Sequence, residues 1–297
     1  MKIQANGIEI EVEDSGFDGS QADRPVLLLV MGLGMQLTAW PPGMVRALVD
    51  AGYRVICHDN RDIGLSASLD HLGQPNLVWA GLKFNLGLEI KPPYTLRDMA
   101  ADALGVLDAL GVQRAHVLGL SMGGMIAQRM AIEAPQRLRS LSSVMSTSGA
   151  RGLPRAGAKV QMALLGKPSS SDEEAVLRHY VRLFRVIGSP AFPVPQAELE
   201  ARVRQSLRRS YRPMGSARQT LASIADTTRA QELGGIRLPT LVLHGKEDPL
   251  LPYACGVDTA QRIPGARLEG LAGMGHDLAP PVVDWMLSHL LPHLAAA

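Results

Sequence analysis

Only two cysteines, Cys57 and Cys255, occur in 297 residues, which excludes a disulfide framework. Aromatic residues make up 4% of the chain, so a core must be filled by Leu, Val, Ala, Ile and Met, within a hydrophobic fraction of 46%. Charge of either sign is also scarce in net terms. A formal balance of +2 does not supply the concentrated basic face that phosphate neutralisation needs, so nucleic acid is excluded as a partner. Long apolar runs are missing too. The most apolar stretch, Pro25 to Met35, is shorter than the ~20 residues a spanning helix requires and carries Gly32 and Gly34. The segment Met1 to Gly7 has no apolar run of the signal-peptide kind, so a cytoplasmic location is expected. No H-E-x-x-H spacing exists, and no metal is expected.

What is present alternates. Ile8 to Glu13 switches between apolar and acidic residues, as a half-exposed antiparallel strand does. Val26 to Met31 is continuously apolar, the pattern of a strand buried on both faces. Helical spacing over Met44 to Ala51, Leu96 to Leu110 and Met122 to Glu133 is interleaved with strand patterns at Tyr53 to His58, Ala115 to Leu120 and Leu138 to Met145. The rhythm resumes with strands at Thr240 to His244 and Ala266 to Leu271, and helices at Pro252 to Ile263 and Pro281 to Leu291. Strands alternating with helices imply an α/β fold with a mainly parallel sheet covered on both faces.

Two stretches break the rhythm. Leu69 to Pro93 mixes apolar residues and glycine, and reads either as a second lid or as the surface of a homodimer. Residues 150–230 show no strand pattern, while Val176, Leu177, Tyr180, Val181, Phe184 and Ile187 recur at helical spacing. The expected organisation is a core of residues 1–149 and 231–297 with a helical cap of residues 150–230 inserted. From Arg151 to Ala230 there are 14 basic and 6 acidic residues, so the insert carries +8 and the rest of the chain −6. A solvated helical face, docking on the acidic core and attraction of acidic substrates each account for that surplus.

The chemistry gathers around Gly119-Leu120-Ser121-Met122-Gly123, a G-x-S-x-G match between a strand and a helix. A sharp turn there holds the serine in a strained conformation, with its hydroxyl at the sheet edge beside a helix N-terminus. A serine hydroxyl needs a base. Of eight histidines, His58, His116 and His244 fall in strands or at their ends, His179, His289 and His293 on helices, and His71 beside Asp70. His276 instead follows the last strand in Gly273-Met274-Gly275-His276, a loop able to reach the sheet edge. Asp248, in a turn with Pro249 after a buried strand, is the candidate acid to orient it. Asp277 is a rival whose adjacency to His276 points it away, and Glu247 stays open on spacing. Backbone N–H groups of Met122 and, from the glycine-bearing loop Met31 to Met35, of Leu33 are the expected oxyanion donors. The same loop is not a dinucleotide fingerprint, because Leu37 stands where the third glycine belongs, and no cofactor is expected.

Together these segments resemble the α/β-hydrolase superfamily over essentially the whole chain. Val30-Met31-Gly32, Asp59-Asn60-Arg61-Asp62-Ile63-Gly64-Leu65-Ser66 and the Ser121 motif are most similar to the aclacinomycin methylesterase group. The resemblance implies a Ser121, Asp248 and His276 triad with an oxyanion hole at Leu33 and Met122. Met31 stands where the superfamily more often has histidine, a change a backbone donor tolerates. The expected function is cleavage of a small or medium, largely apolar carboxylic ester through an acyl-enzyme. Lactonase, perhydrolase and carbon–carbon bond hydrolase chemistry would use the same triad, and a non-catalytic ligand sensor is the reading from another class.

Overall fold

The computed structural model describes all of residues 1–297. Eight strands form one sheet: β1 (Lys2–Ala5), β2 (Ile8–Asp14), β3 (Val26–Val30), β4 (Arg54–His58), β5 (Ala115–Leu120), β6 (Leu138–Val144), β7 (Thr240–Gly245) and β8 (Arg267–Leu271). Their order is β1-β2-β4-β3-β5-β6-β7-β8. Pairing is antiparallel for β1 with β2 and β2 with β4, and parallel from β4 to β8. The expected α/β architecture is observed. β1 was not anticipated: it is four residues at an edge, too short to display a period, and a tight turn at Asn6 and Gly7 joins it to β2.

Every residue of β3 and β5 is buried, so each presents apolar side chains to both faces. Val26, Leu28, Val30 and Val117 face α3 (Leu96–Ala109) and α4 (Met122–Glu133). Leu27, Leu29 and Leu118 face α1 (Pro42–Asp50) and α11 (Pro280–Ala295). α3 begins with a reciprocal capping box between Thr95 and Asp98, which satisfies two otherwise unpaired amides. No helix is long and apolar enough to cross a membrane.

The Leu69 to Pro93 stretch contains α2 (Leu77–Asn85), started by the Asn76 side chain accepting from Trp79 N–H. Between β6 and β7 the chain forms α5 (Ala158–Leu165), α6 (Glu173–Ile187), α7 (Gln196–Arg209), α8 (Pro213–Ala225) and α9 (Arg229–Glu232), and no strand. α10 (Tyr253–Arg262) then lies between β7 and β8.

The inserted helices carry the basic surplus, and part of it is turned inward. Arg218 of α8 is almost fully buried and donates to both oxygens of Asp62 at 2.6 and 2.8 Å and to Asp70 at 2.8 Å. Arg209 of α7 donates to Asp59 and to Gln36, both at 2.7 Å. Near α9, Arg229 and Arg129 of α4 share the carboxylate of Asp226. Docking on the acidic core therefore accounts for Arg209 and Arg218, while Arg178, Arg182 and Arg185 stay on the outer side of α6. Removing one partner of a buried pair such as Arg218–Asp62 strands the other charge, a loss of about 3–5 kcal/mol.

Two strand histidines are buried neutral. Burial pushes His58 down to about 4 from its usual 6.5, the nearby Asn60 amide opposing. Burial, aided by Arg139, His293 and Arg114, likewise takes His116 to about 4. The unfolded chain binds a proton at each imidazole below about pH 6.5, which the folded protein refuses until about pH 4, so stability falls as pH drops through that window. Denaturant unfolding across it should show His58→Gln losing stability less steeply than wild type, by up to about 1.4 kcal/mol per pH unit. Parallel pH profiles would contradict the assignment.

Candidate active site

The turn between β5 and α4 places Ser121 at φ +55° and ψ −118°, a conformation side-chain-bearing residues rarely adopt. Its surroundings over-determine it. A Cβ on Gly119 would overlap the Gly123 carbonyl, and a Cβ on Gly123 would overlap the Val30 carbonyl. The two glycines of the motif are thus required by close approach of backbone to backbone. Ser121 N–H donates to Val144 O at 2.8 Å, and the Ser146 hydroxyl donates to Ser121 O at 2.7 Å.

His276 lies in the loop between β8 and α11. Its Nε2 is 3.0 Å from Ser121 Oγ and its Nδ1 is 2.7 Å from Asp248 Oδ2. The loop is clamped to the end of α6, with His276 N–H donating to Ile187 O at 2.7 Å and Gly275 N–H to Ser189 Oγ at 2.9 Å. Asp248 follows β7. Its other oxygen accepts from the Leu250 and Leu251 amides, each at 2.9 Å, which fixes the carboxylate for the imidazole. Both rival acids are occupied elsewhere. Asp277 accepts from the Ser189 amide and hydroxyl at 2.9 and 2.5 Å, and Glu247 accepts from Gly273 N–H.

The loop after β3 passes directly over the serine: a Cβ on Gly32 would sit 3.2 Å from Leu120 O and 3.3 Å from Ser121 Cβ. Leu33 is partly exposed on this loop, and Met122 is buried at the first position of α4. Helix geometry leaves the Met122 amide without an intrahelical acceptor, and the Leu33 amide makes no hydrogen bond within the protein. Several residues that spacing did not single out hold this loop. Asn60 donates to Met31 O at 2.9 Å, and Asp59 accepts from Leu37 N–H at 2.7 Å. Gln219 of α8, fully buried, accepts from Gly34 N–H and donates to Arg61 O, both at 2.9 Å. Gln36 is tied to Ser206 and Ser210 near the end of α7. No local motif marks Gln219 or Gln36, because each partner is more than 150 residues away.

A cavity of about 2930 Å³ opens from Ser121 and His276, and its lining includes the apolar side chains of Met35, Met125, Phe184 and Leu278. Such a lining suits apolar groups. No cluster of three or more His, Cys, Asp or Glu is arranged to hold a metal.

A mainly parallel sheet, a strained serine on its strand-to-helix turn and a histidine–carboxylate pair reaching it across the sheet edge define an α/β-hydrolase type of protein. The chain belongs to the α/β hydrolase fold family, whose model matches residues 25–279. It is 30% identical over 298 residues to rhodomycin D methylesterase DnrP of Streptomyces peucetius, covering 94% of this chain and 93% of that protein. It is 27% identical over 281 residues to a 2-hydroxy-6-oxononadienedioate/2-hydroxy-6-oxononatrienedioate hydrolase of Pseudomonas sp, covering 92% and 87%. Among solved structures it superposes on the enol-lactonase from Burkholderia xenovorans LB400 with a TM-score of 0.74 at 24% identity, covering 99% and 100%, which shows a common fold.

His244, at the end of β7, also supports the site. It is fully buried, and its Nε2 lies 2.7 Å from Leu251 O and 3.6 Å from Asp248 Oδ2. A carbonyl only accepts, so Nε2 carries the proton, and burial holds the imidazole below its usual range. Leu251 therefore accepts from His244 while its own amide donates to Asp248. His244→Phe keeps a ring but leaves the Leu251 carbonyl unpartnered, and should lower the unfolding free energy by about 1–3 kcal/mol. His244→Gln, which retains a donor, should lose less; equal losses would remove the hydrogen bond from the account.

Proposed function

We propose that this protein hydrolyses a small or medium, largely apolar carboxylic ester through an acyl-enzyme on Ser121. The single observation that carries the reading is the continuous chain from Ser121 Oγ through His276 to Asp248, at 3.0 and 2.7 Å. In it, His276 Nε2 takes the hydroxyl proton as Oγ attacks the ester carbonyl. Asp248 fixes the tautomer with the proton on Nδ1 and stabilises the imidazolium. The Leu33 and Met122 amides hold the oxyanion of the tetrahedral intermediate, where preorganised donors are worth several kcal/mol. Collapse expels the alcohol, protonated by His276. Water, deprotonated by the same imidazole, then releases the acid and regenerates Ser121.

Residues 150–230 act as a cap over a core of residues 1–149 and 231–297. The methylesterase relative, at 30% identity over nearly the whole chain, supports the ester reading. The apolar wall of Met35, Met125 and Leu278 supports a neutral substrate over a dianionic one. Two core-facing arginines of the cap, Arg209 and Arg218, are already committed to Asp59 and Asp62.

A serine-directed aryl phosphonate should label wild type and not Ser121→Ala. The same substitution should reduce aryl-ester turnover by at least about 10⁴-fold while leaving the thermal midpoint near wild type. Turnover that survives in Ser121→Ala would overturn the assignment.

A further inference from the structure

α2 and the start of the inserted helices expose apolar side chains that nothing in the chain covers. Val78, Trp79 and Leu86 are 83%, 53% and 63% exposed, and Met162 and Leu165 of α5 are 68% and 76% exposed. Isolated exposed leucines need no explanation, but several large apolar side chains exposed on neighbouring segments do. The two segments adjoin. Arg155 donates to Asn85 Oδ1 at 2.8 Å and stacks 5.1 Å from the Phe84 ring centre, and a Cβ on Gly87 would lie 3.0 Å from Arg151 Nη1. Val78 and Leu165 both line the cavity that leads to Ser121.

The charges around this patch are predominantly positive. Residues 77–91 and 151–167 contain Lys83, Lys91, Arg151, Arg155, Lys159 and Lys167 against Glu89 alone. None of these six cations forms a salt bridge. The contrast with α7 and α8 is sharp, since Arg204, Arg208, Arg209 and Arg218 are all paired with carboxylates. A second copy of this chain is a poor occupant. A twofold contact through the patch would set one unneutralised cationic rim against its duplicate.

We propose that this face docks on the surface of an anionic lipid bilayer, with Trp79, Leu86 and Met162 entering the headgroup region and the six cations meeting lipid phosphates. Apolar anchors ringed by Lys and Arg are what interfacial binding requires, and it needs no spanning helix. The docked cavity mouth then faces the bilayer, so apolar compounds dissolved there enter without crossing water. Binding is independent of the hydrolytic reading, and it can be measured without turnover.

The test is co-sedimentation of the full chain with large vesicles of phosphatidylcholine, alone or mixed with phosphatidylglycerol. Binding is expected only to the mixed vesicles, weakened by salt, with tryptophan emission shifted to the blue. Trp40 is buried and Trp285 half-buried, so Trp79 dominates that shift. Lys83→Ala and Lys159→Ala should each lower the partition coefficient roughly fivefold. Leu86→Ser should remove the blue shift of Trp79, and all three variants should turn over a water-soluble ester as wild type does. Failure of wild type to bind the mixed vesicles at low ionic strength would overturn the proposal. So would a stable dimer that Leu86→Asp dissociates, which would assign the face to a second copy.

Discussion

Everything at the site hangs on one backbone turn. Ser121 sits at positive φ because β5 must pass into α4 without a gap, and because the carbonyls of Gly123 and Val30 occupy the space a side chain at Gly119 or Gly123 would fill. Left-handed backbone at a serine is unfavourable by roughly 1–3 kcal/mol, and it persists only where packing allows no relaxation. The reward for that strain is positional. The hydroxyl stands clear of the sheet edge, the Met122 amide opens a helix beside it, and the β3 loop crosses within van der Waals range at Gly32.

The second constraint is electrostatic and acts at long range. Asp59, Asn60, Arg61 and Asp62 follow β4 as a run of buried polar residues, and each holds something the site uses. Asp59 and Asn60 pin the loop that carries Leu33. Asp62 receives Arg218, while Arg61 pairs with Asp102 at 2.6 Å and offers its carbonyl to Gln219. α7, α8 and the loop after β3 are therefore fastened to one short run of residues, with Asp59 holding both α7 and the loop. Gln219 joins α8 to both sides of this arrangement, accepting from Gly34 N–H and donating to the Arg61 carbonyl.

The local features were readable from the chain. β3 announces itself as a continuous apolar run, the glycine pattern marks the Ser121 turn, and His276 stands out because it follows the last strand in a loop able to reach the sheet edge. Asp248 was separable from Asp277 by adjacency alone, whereas Glu247 needed the structure, which turns it to the Gly273 amide. β1 was too short to show a period, and α2 was masked because its apolar residues are exposed rather than on a buried stripe. The roles of Gln36, Gln219 and His244 were invisible for a different reason. Buried amides and imidazoles take their meaning from partners, and for Gln219 those partners lie on loops 185 and 158 residues away. The basic surplus of the insert was visible as a sum, but its division into paired arginines on α7 and α8 and cations without a salt bridge on α5 and α6 depends on the packing.

The central claim is that Ser121 becomes covalently acylated. The most direct measurement is acid quenching of aryl-ester turnover in its first seconds, followed by mass spectrometry of the peptide containing Ser121. The account predicts that peptide to be heavier by the acyl group, with the adduct decaying as substrate is exhausted. An adduct on another side chain, or steady turnover with the Ser121 peptide unmodified at every quench time, would contradict it.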